Sequence, residues 1–221
     1  NDNEIFNING NTLQNVHEER DLGVLMTDDV KFSRQCQEAR KKALKMLGVI
    51  NRNVNYKSKD VMKKLYSAYV RPHLEYCAQA CHSSFKKDLK LLERVQRKAT
   101  KMVRGLREKS YRERLVELDM FSIKYRRIRG DLIELFKIYK GIDKLEFGEL
   151  FTINPSTTRG HKCKLVKKSV RTRQRQSFFT NRVIDIWNGL PSSVIDSSSV
   201  KTFKNSLDLH FTERELVFDY E

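Results

Sequence analysis

Between Phe85 and Arg104 apolar side chains recur every three or four residues: Leu89, Leu92, Val95, Ala99, Met102 and Val103. At about 100° per residue these fall on one side of a helix. Lys87, Lys90, Arg94, Arg97, Lys98, Lys101 and Arg104 fall on the other. Such a segment must bury its first stripe against other elements and turn its second toward water or a polyanion. Little in the rest of the chain opposes helix. Its 221 residues include 9 Gly and 3 Pro, fewer than an all-β domain made of tight turns normally needs. The expected fold is mainly α.

Residues 1–27 read differently, as a short β ribbon. Ile5–Ile8 and Thr12–Val16 flank Asn9-Gly10-Asn11, and Asn-Gly is the strongest short hairpin signal. Leu22–Met26 is a third expected strand. After Asp28-Asp29 the period turns helical: Phe32, Cys36, Ala39, Ala43, Met46, Leu47 and Ile50 form one stripe. Ser58 caps a second helix, expected to stop near Val70 before Pro72. Leu74, Cys77 and Cys81 mark a third short piece, and Gly105 ends the basic helix. Ser110 and Glu113 have the spacing of a capping box for a helix reaching Leu118. Ser122 caps another, with Ile128, Leu132, Leu135 and Tyr139 inward and Gly141 after it. Farther on come a loop at Pro155–Thr158, a short strand at Lys164–Val166, a helix over Phe178–Asn188 closed by Gly189 and Pro191, and a last helix over Val200–Phe211. The layout is a ribbon over 1–27, a helical bundle over 28–142, and a small basic α(+β) segment with two helices over 143–221.

Charge narrows the partner. Lys and Arg total 44 against 28 Asp and Glu, a net of +16. A field of that sign attracts polyanions. Membrane is disfavoured, because no run approaches the roughly 20 apolar residues of a spanning helix. From Lys86 to Gly130 sixteen Lys or Arg stand against six Asp or Glu, concentrated on the basic helix and in Lys124-Tyr125-Arg126-Arg127-Ile128-Arg129. A solvated face normally mixes signs, since opposite charges at i,i+4 add stability. One cationic stripe can instead meet successive phosphates, with salt-sensitive binding indifferent to base sequence. Leu150 to Ile184 contains no Asp or Glu but nine Lys or Arg, Arg171, Arg173 and Arg175 among them, and Phe178 and Phe179 stand just after these three. Those rings read mainly as core, with stacking on a base as the alternative.

Signatures of independent catalysis are missing. There is no Gly-rich phosphate loop, G-x-S-x-G elbow or H-E-x-x-H. Asp28-Asp29 resembles a metal-binding pair, but a third acidic ligand in register is lacking, and a turn role is expected. Cys77, Cys81 and His82, with His161 and Cys163, lack zinc-ligand spacing and read as ordinary thiols and imidazoles. The expectation is no catalytic residue, no metal and no cofactor in this chain. Four Cys without a secretory signal point to reduced thiols in an intracellular, nuclear or cytoplasmic protein.

An ordered series of short motifs adds a family resemblance. It runs through Glu19-Arg20-Asp21-Leu22-Gly23-Val24, Tyr69-Val70-Arg71-Pro72-His73-Leu74-Glu75-Tyr76, and Leu92-Glu93-Arg94-Val95-Gln96-Arg97-Lys98-Ala99-Thr100. It continues through Tyr125-Arg126-Arg127-Ile128-Arg129-Gly130-Asp131, Thr158-Arg159-Gly160-His161, Arg182-Val183-Ile184 and Trp187-Asn188-Gly189-Leu190-Pro191. The chain resembles the region after the catalytic motif of non-LTR (LINE-type, jockey-like) retrotransposon reverse transcriptases. It departs from their pattern at Cys81-His82-Ser83, where the family usually carries Trp and then Pro. The resemblance implies that residues to about Met26 end the palm, with Leu22-Gly23 in a primer-grip-like strand. The helices would be a thumb closing on an RNA or RNA–DNA template–primer, and the rest the family's carboxy-terminal segment. The catalytic aspartates, their Mg, the fingers and most of the palm would precede this region. The expected nucleic-acid contacts are Lys87, Lys90, Arg94, Arg97, Lys98, Lys101, Arg104, Arg126, Arg127, Arg129, Arg171, Arg173 and Arg175. A freestanding RNA/DNA-binding module or a helical protein-interaction scaffold are the alternative readings.

Overall fold

The computed structural model describes residues 6–83, 85–155 and 160–212. Ile5 of the first expected strand, Ser156–Thr158 of the expected loop and Arg159 lie outside these residues. The fold is mainly α, with two small antiparallel hairpins ahead of the helices.

Hairpin β1 (Asn7–Ile8) with β2 (Asn11–Thr12) turns through Asn9-Gly10, both at positive φ. Its residues are exposed, Phe6, Ile8 and Leu13 included. The second hairpin joins β3 (Glu18–Asp21) to β4 (Val24–Thr27). Here one expectation is corrected: Leu22 and Gly23 form the turn and are not strand residues. Their φ angles of 45° and 79° give the primed twist that a two-residue hairpin requires. Tyr76 holds the tip by donating its hydroxyl to the Leu22 carbonyl at 2.7 Å. Gln35 accepts from the Leu25 N–H at 2.9 Å and fastens β4 to the first helix.

That helix is α1 (Ser33–Asn53), whose Cys36, Ala43, Leu47 and Ile50 are buried. Next, α2 (Lys59–Leu65), capped by Ser58 as expected, does not stop before Pro72. It opens into a π-helical turn over Tyr66–Val70 and continues as α3 (Arg71–Glu75), with Pro72 in its first turn. Proline has no N–H and its ring crowds the carbonyl four residues back, and the wider turn accommodates both. Cys77 then takes φ 54° and leaves helical geometry, so Leu74, Cys77 and Cys81 do not share one helix.

The basic segment is α4 (Lys86–Lys101). Ser110 and Glu113 make the reciprocal capping box of α5 (Tyr111–Glu117), and Ser122 caps α6 (Ile123–Tyr139). Beyond α7 (Phe147–Leu150) the chain is irregular, and Lys164–Val166 supplies only a bridge between Ile153 and Leu165. The expected helix over Phe178–Asn188 is divided into α9 (Phe179–Arg182) and α10 (Ile184–Asn188), preceded by α8 (Arg173–Gln176). Two more helices follow, α11 (Ser192–Ile195) and α12 (Val200–Thr212).

Two apolar cores organise these elements. The first collects α1 to α5 and ends at Ile123, and the second begins at Tyr125 and runs to Phe211. The cores therefore meet at the start of α6, upstream of residue 142, where the expected helical bundle ends. Trp187 fills the second core, fully buried, its indole N–H donating to the Cys163 carbonyl at 2.9 Å. Asn188 accepts from the Leu165 N–H and donates to its carbonyl, so the side chain pairs with backbone as a strand would. The Trp187-Asn188-Gly189 segment is thus a structural anchor.

Candidate nucleic-acid interface

The orientation of α4 is fixed by polar groups as well as apolar ones. Leu92, Val95 and Ala99 are buried as the periodicity demands, and so are Glu93 and Gln96. Gln96 accepts from the Tyr66 hydroxyl at 2.6 Å and donates to the Phe121 carbonyl at 2.9 Å. Glu93 accepts from the Tyr111 hydroxyl and from the Ile123 N–H at the head of α6. A rotated α4 would strand these buried groups without partners. The helix is therefore keyed in one register, with its cationic side outward.

On that side Lys87, Lys90, Arg94, Lys98, Lys101 and Arg104 are exposed, and among the described residues none of them forms an ion pair. Lys87 lies over the Phe85 ring and Arg104 over Tyr56. Arg97 is half-buried, its guanidinium 4.4 Å from the centroid of Tyr111. The stripe runs about 21 Å, roughly one cation per 5.4 Å turn.

At the carboxy-terminal end of α4 the stripe widens into an open groove of about 810 Å³. Lys57, Arg107 and Arg114, from three other places in the chain, join Arg97, Lys98, Lys101 and Arg104 in lining it, with no carboxylate of the described residues in the lining. The Arg104 N–H donates to the Lys57 carbonyl at 2.9 Å and holds the two walls together. Arg114 is buried and its Nε donates to the Thr100 hydroxyl at 3.0 Å. Burial lowers its pKa from the ordinary arginine value. Helical periodicity does not reveal this groove, because Lys57, Arg107 and Arg114 lie outside the α4 stripe. The local excess of Lys and Arg around residues 94–114 is the only sequence signal for it.

The second expected cationic run has a different fate. Arg126 forms a bidentate pair with Glu75, Nη2 lying 3.0 Å from Oε2. Arg129 grips Asp208 with two bonds of 2.6 and 2.8 Å, and Tyr125 donates to the same carboxylate. That carboxylate holds the Arg129 pKa above its usual value. Arg127 donates to the Leu74 carbonyl, its Nε has no partner among the described residues, and burial lowers its pKa. These three expected contact residues are turned toward neighbouring elements, where they join α6 to α3 and α12. Asp131 on the same helix pairs with Arg182 through two bonds of 2.8 Å. Burial pushes the Asp131 pKa up while Arg182 opposes it. Arg182 also donates to the Ala78 and Gln79 carbonyls. α6 comes close to that loop at Gly130, where an added Cβ would sit 3.2 Å from Gln79 Nε2.

Arg171, Arg173 and Arg175 are exposed and form no ion pair among the described residues. Arg175 lies over Phe178 at 5.1 Å. Leu22 is 84% exposed at the tip of its hairpin, beside Gly23.

The other sequence candidates are not assembled. Asp29 accepts from the Thr27 hydroxyl and the Lys31 N–H, which pull its carboxyl to about 2, and Asp28 pairs with His17. They are turn residues, as expected. All four cysteines are free. His161 bonds the Trp187 carbonyl and Cys163 contacts Tyr139, whereas Cys81 hydrogen-bonds Cys77. Among the described residues no three His, Cys, Asp or Glu come together as a metal-holding group, and no helix is long and apolar enough to cross a membrane.

No protein-family model, no curated protein and no solved structure matches this chain.

Proposed function

We propose that this chain holds the sugar–phosphate backbone of RNA or an RNA–DNA template–primer, as the thumb and tail of a retrotransposon RNA-directed DNA polymerase. In that reading catalysis belongs to a palm and fingers carrying the aspartates and their Mg, and this chain polymerises nothing alone. One observation carries the binding half: a buried key of Glu93 and Gln96 fixes α4 with six exposed cations that no carboxylate among the described residues neutralises. Repulsion along such a face is relieved when phosphates replace water and release counterions. The polymerase half rests on the ordered motif resemblance, with Leu22-Gly23 at the hairpin tip as the segment nearest a primer end.

The test is fluorescence-anisotropy binding of the chain to an RNA–DNA hybrid across a salt series, beside a charge-matched acidic peptide. Tight hybrid binding that weakens steeply with salt is expected. Arg94→Glu, Lys98→Glu and Lys101→Glu together should flatten the log–log slope by about 3 units. Equal binding of peptide and hybrid, with a slope the reversal leaves alone, would overturn the proposal.

A further inference from the structure

The two basic stretches that remain exposed, at α4 and at Arg171–Arg175, lie far apart in sequence yet reach the same cavity. It holds about 330 Å³ and lies between the start of α1, the segment leading into α4, and α8. Phe32, Phe85 and Phe178 line it, with Lys31, Arg173 and Gln174 among their neighbours, and no carboxylate of the described residues is in the lining. Cations stand beside two of its rings: Lys87 is 5.2 Å from the Phe85 centroid and Arg175 is 5.1 Å from that of Phe178. We propose that this cavity receives one unpaired base of the nucleic-acid strand that α4 holds. The inference rests on the backbone-binding reading and adds to it a preference for a single-stranded end or a bulged nucleotide.

The volume lies at the small end of ligand sites, suited to one planar group and unsuited to a folded partner. Aromatic walls offer π-faces that any base can stack on, and such stacking is the common way proteins hold bases released from a helix. Lys87 and Arg175 each stand over a ring that lines the cavity, so the phosphates flanking a stacked base would find cations at hand. Gln174, half-buried and without a side-chain hydrogen bond among the described residues, has an amide donor and acceptor to offer a base edge. An apolar peptide side chain is the competing occupant, but it would leave those cations without a role.

The experiment uses the full chain with two RNA–DNA hybrids, one blunt and one ending in a single unpaired 2-aminopurine. Stacking predicts quenched fluorescence and about tenfold tighter binding of the overhang hybrid. Phe178 is 39% exposed, so Phe178→Ala should fold, lose the preference, and bind the blunt hybrid as before, while Phe178→Tyr should retain it. On the unaltered chain, a 4-thiouridine at the overhang should crosslink within residues 172–178 or beside Phe32 and Phe85. If both hybrids bind equally and without quenching, while reversal of Arg94, Lys98 and Lys101 still weakens both, the base-cavity proposal falls and the backbone reading stands. If neither hybrid binds, both fall.

Discussion

Two basic runs that look alike in sequence end in opposite environments. Along α4 the cations face water, and among the described residues Lys87, Lys90, Arg94, Lys98, Lys101 and Arg104 meet no carboxylate. Along α6, Arg126 and Arg129 are held by Glu75 and Asp208, and Arg127 is turned onto the Leu74 carbonyl. The difference does not come from local charge density. It comes from acids supplied by distant parts of the chain, on α3 and α12, which the packing of α6 brings to one helix and not to the other. A cationic run therefore stays open to solvent only where the fold brings it no acid.

The largest expected effect lies at the inward joint. Arg182→Met leaves Asp131 buried and unpaired, so denaturant unfolding should show a loss of about 3–5 kcal/mol. An unchanged midpoint would break the comparison, because the joint would then be dispensable and its arginines free for other work. Acid should reveal the same joint. Burial beside Arg182 and Arg127 lowers the His82 pKa from 6.5 to about 3. The unfolded chain takes up this proton and the folded chain refuses it. The contribution is complete above about pH 6.5 and is lost as pH falls toward 3. His82→Gln should remove on the order of 3 kcal/mol of that acid sensitivity when unfolding free energies of the two proteins are compared across this range. Identical acid limbs would mean that the imidazole is not shielded. The smallest effect on stability is expected on the outward helix. Lys90→Gln, Arg94→Gln and Lys98→Gln should each move stability by no more than about 0.5 kcal/mol while weakening hybrid binding. Arg126→Gln should do the reverse, lowering the melting temperature and leaving the salt slope alone.

Much of the fold was legible in advance where one local rule governed. The Ser110–Glu113 capping box, the Ser122 cap, the Asn9-Gly10 turn and the inward stripe of α4 all follow from neighbours within four residues. Errors arose where local signals competed. Pro72 reads as a stop, yet tertiary packing of Tyr66 and Val70 into the first core favours continuation through a wider turn. Leu22 reads as strand, since leucine at positive φ is uncommon, and only the Tyr76 hydroxyl at its carbonyl shows why the turn sits there. The site was half legible: periodicity gives the α4 cations, but not Lys57, Arg107 and Arg114 around the groove at its end.

By itself, then, the sequence determined that this chain is mainly helical, strongly basic, and built around one helix whose two sides cannot both be buried. Hydrophobic period and charge are properties of neighbours in the chain, and they act before any long-range contact exists. Only the tertiary structure decided which cations stay available. Pairing with Glu75 requires α6 to pack against α3, pairing with Asp208 and Arg182 requires the second core to close over α6, and the Phe32–Phe85–Phe178 cavity exists only once α8 is folded against the start of α1. Those contacts join residues about 50 to 150 positions apart, and no short-range pattern in the sequence encodes them.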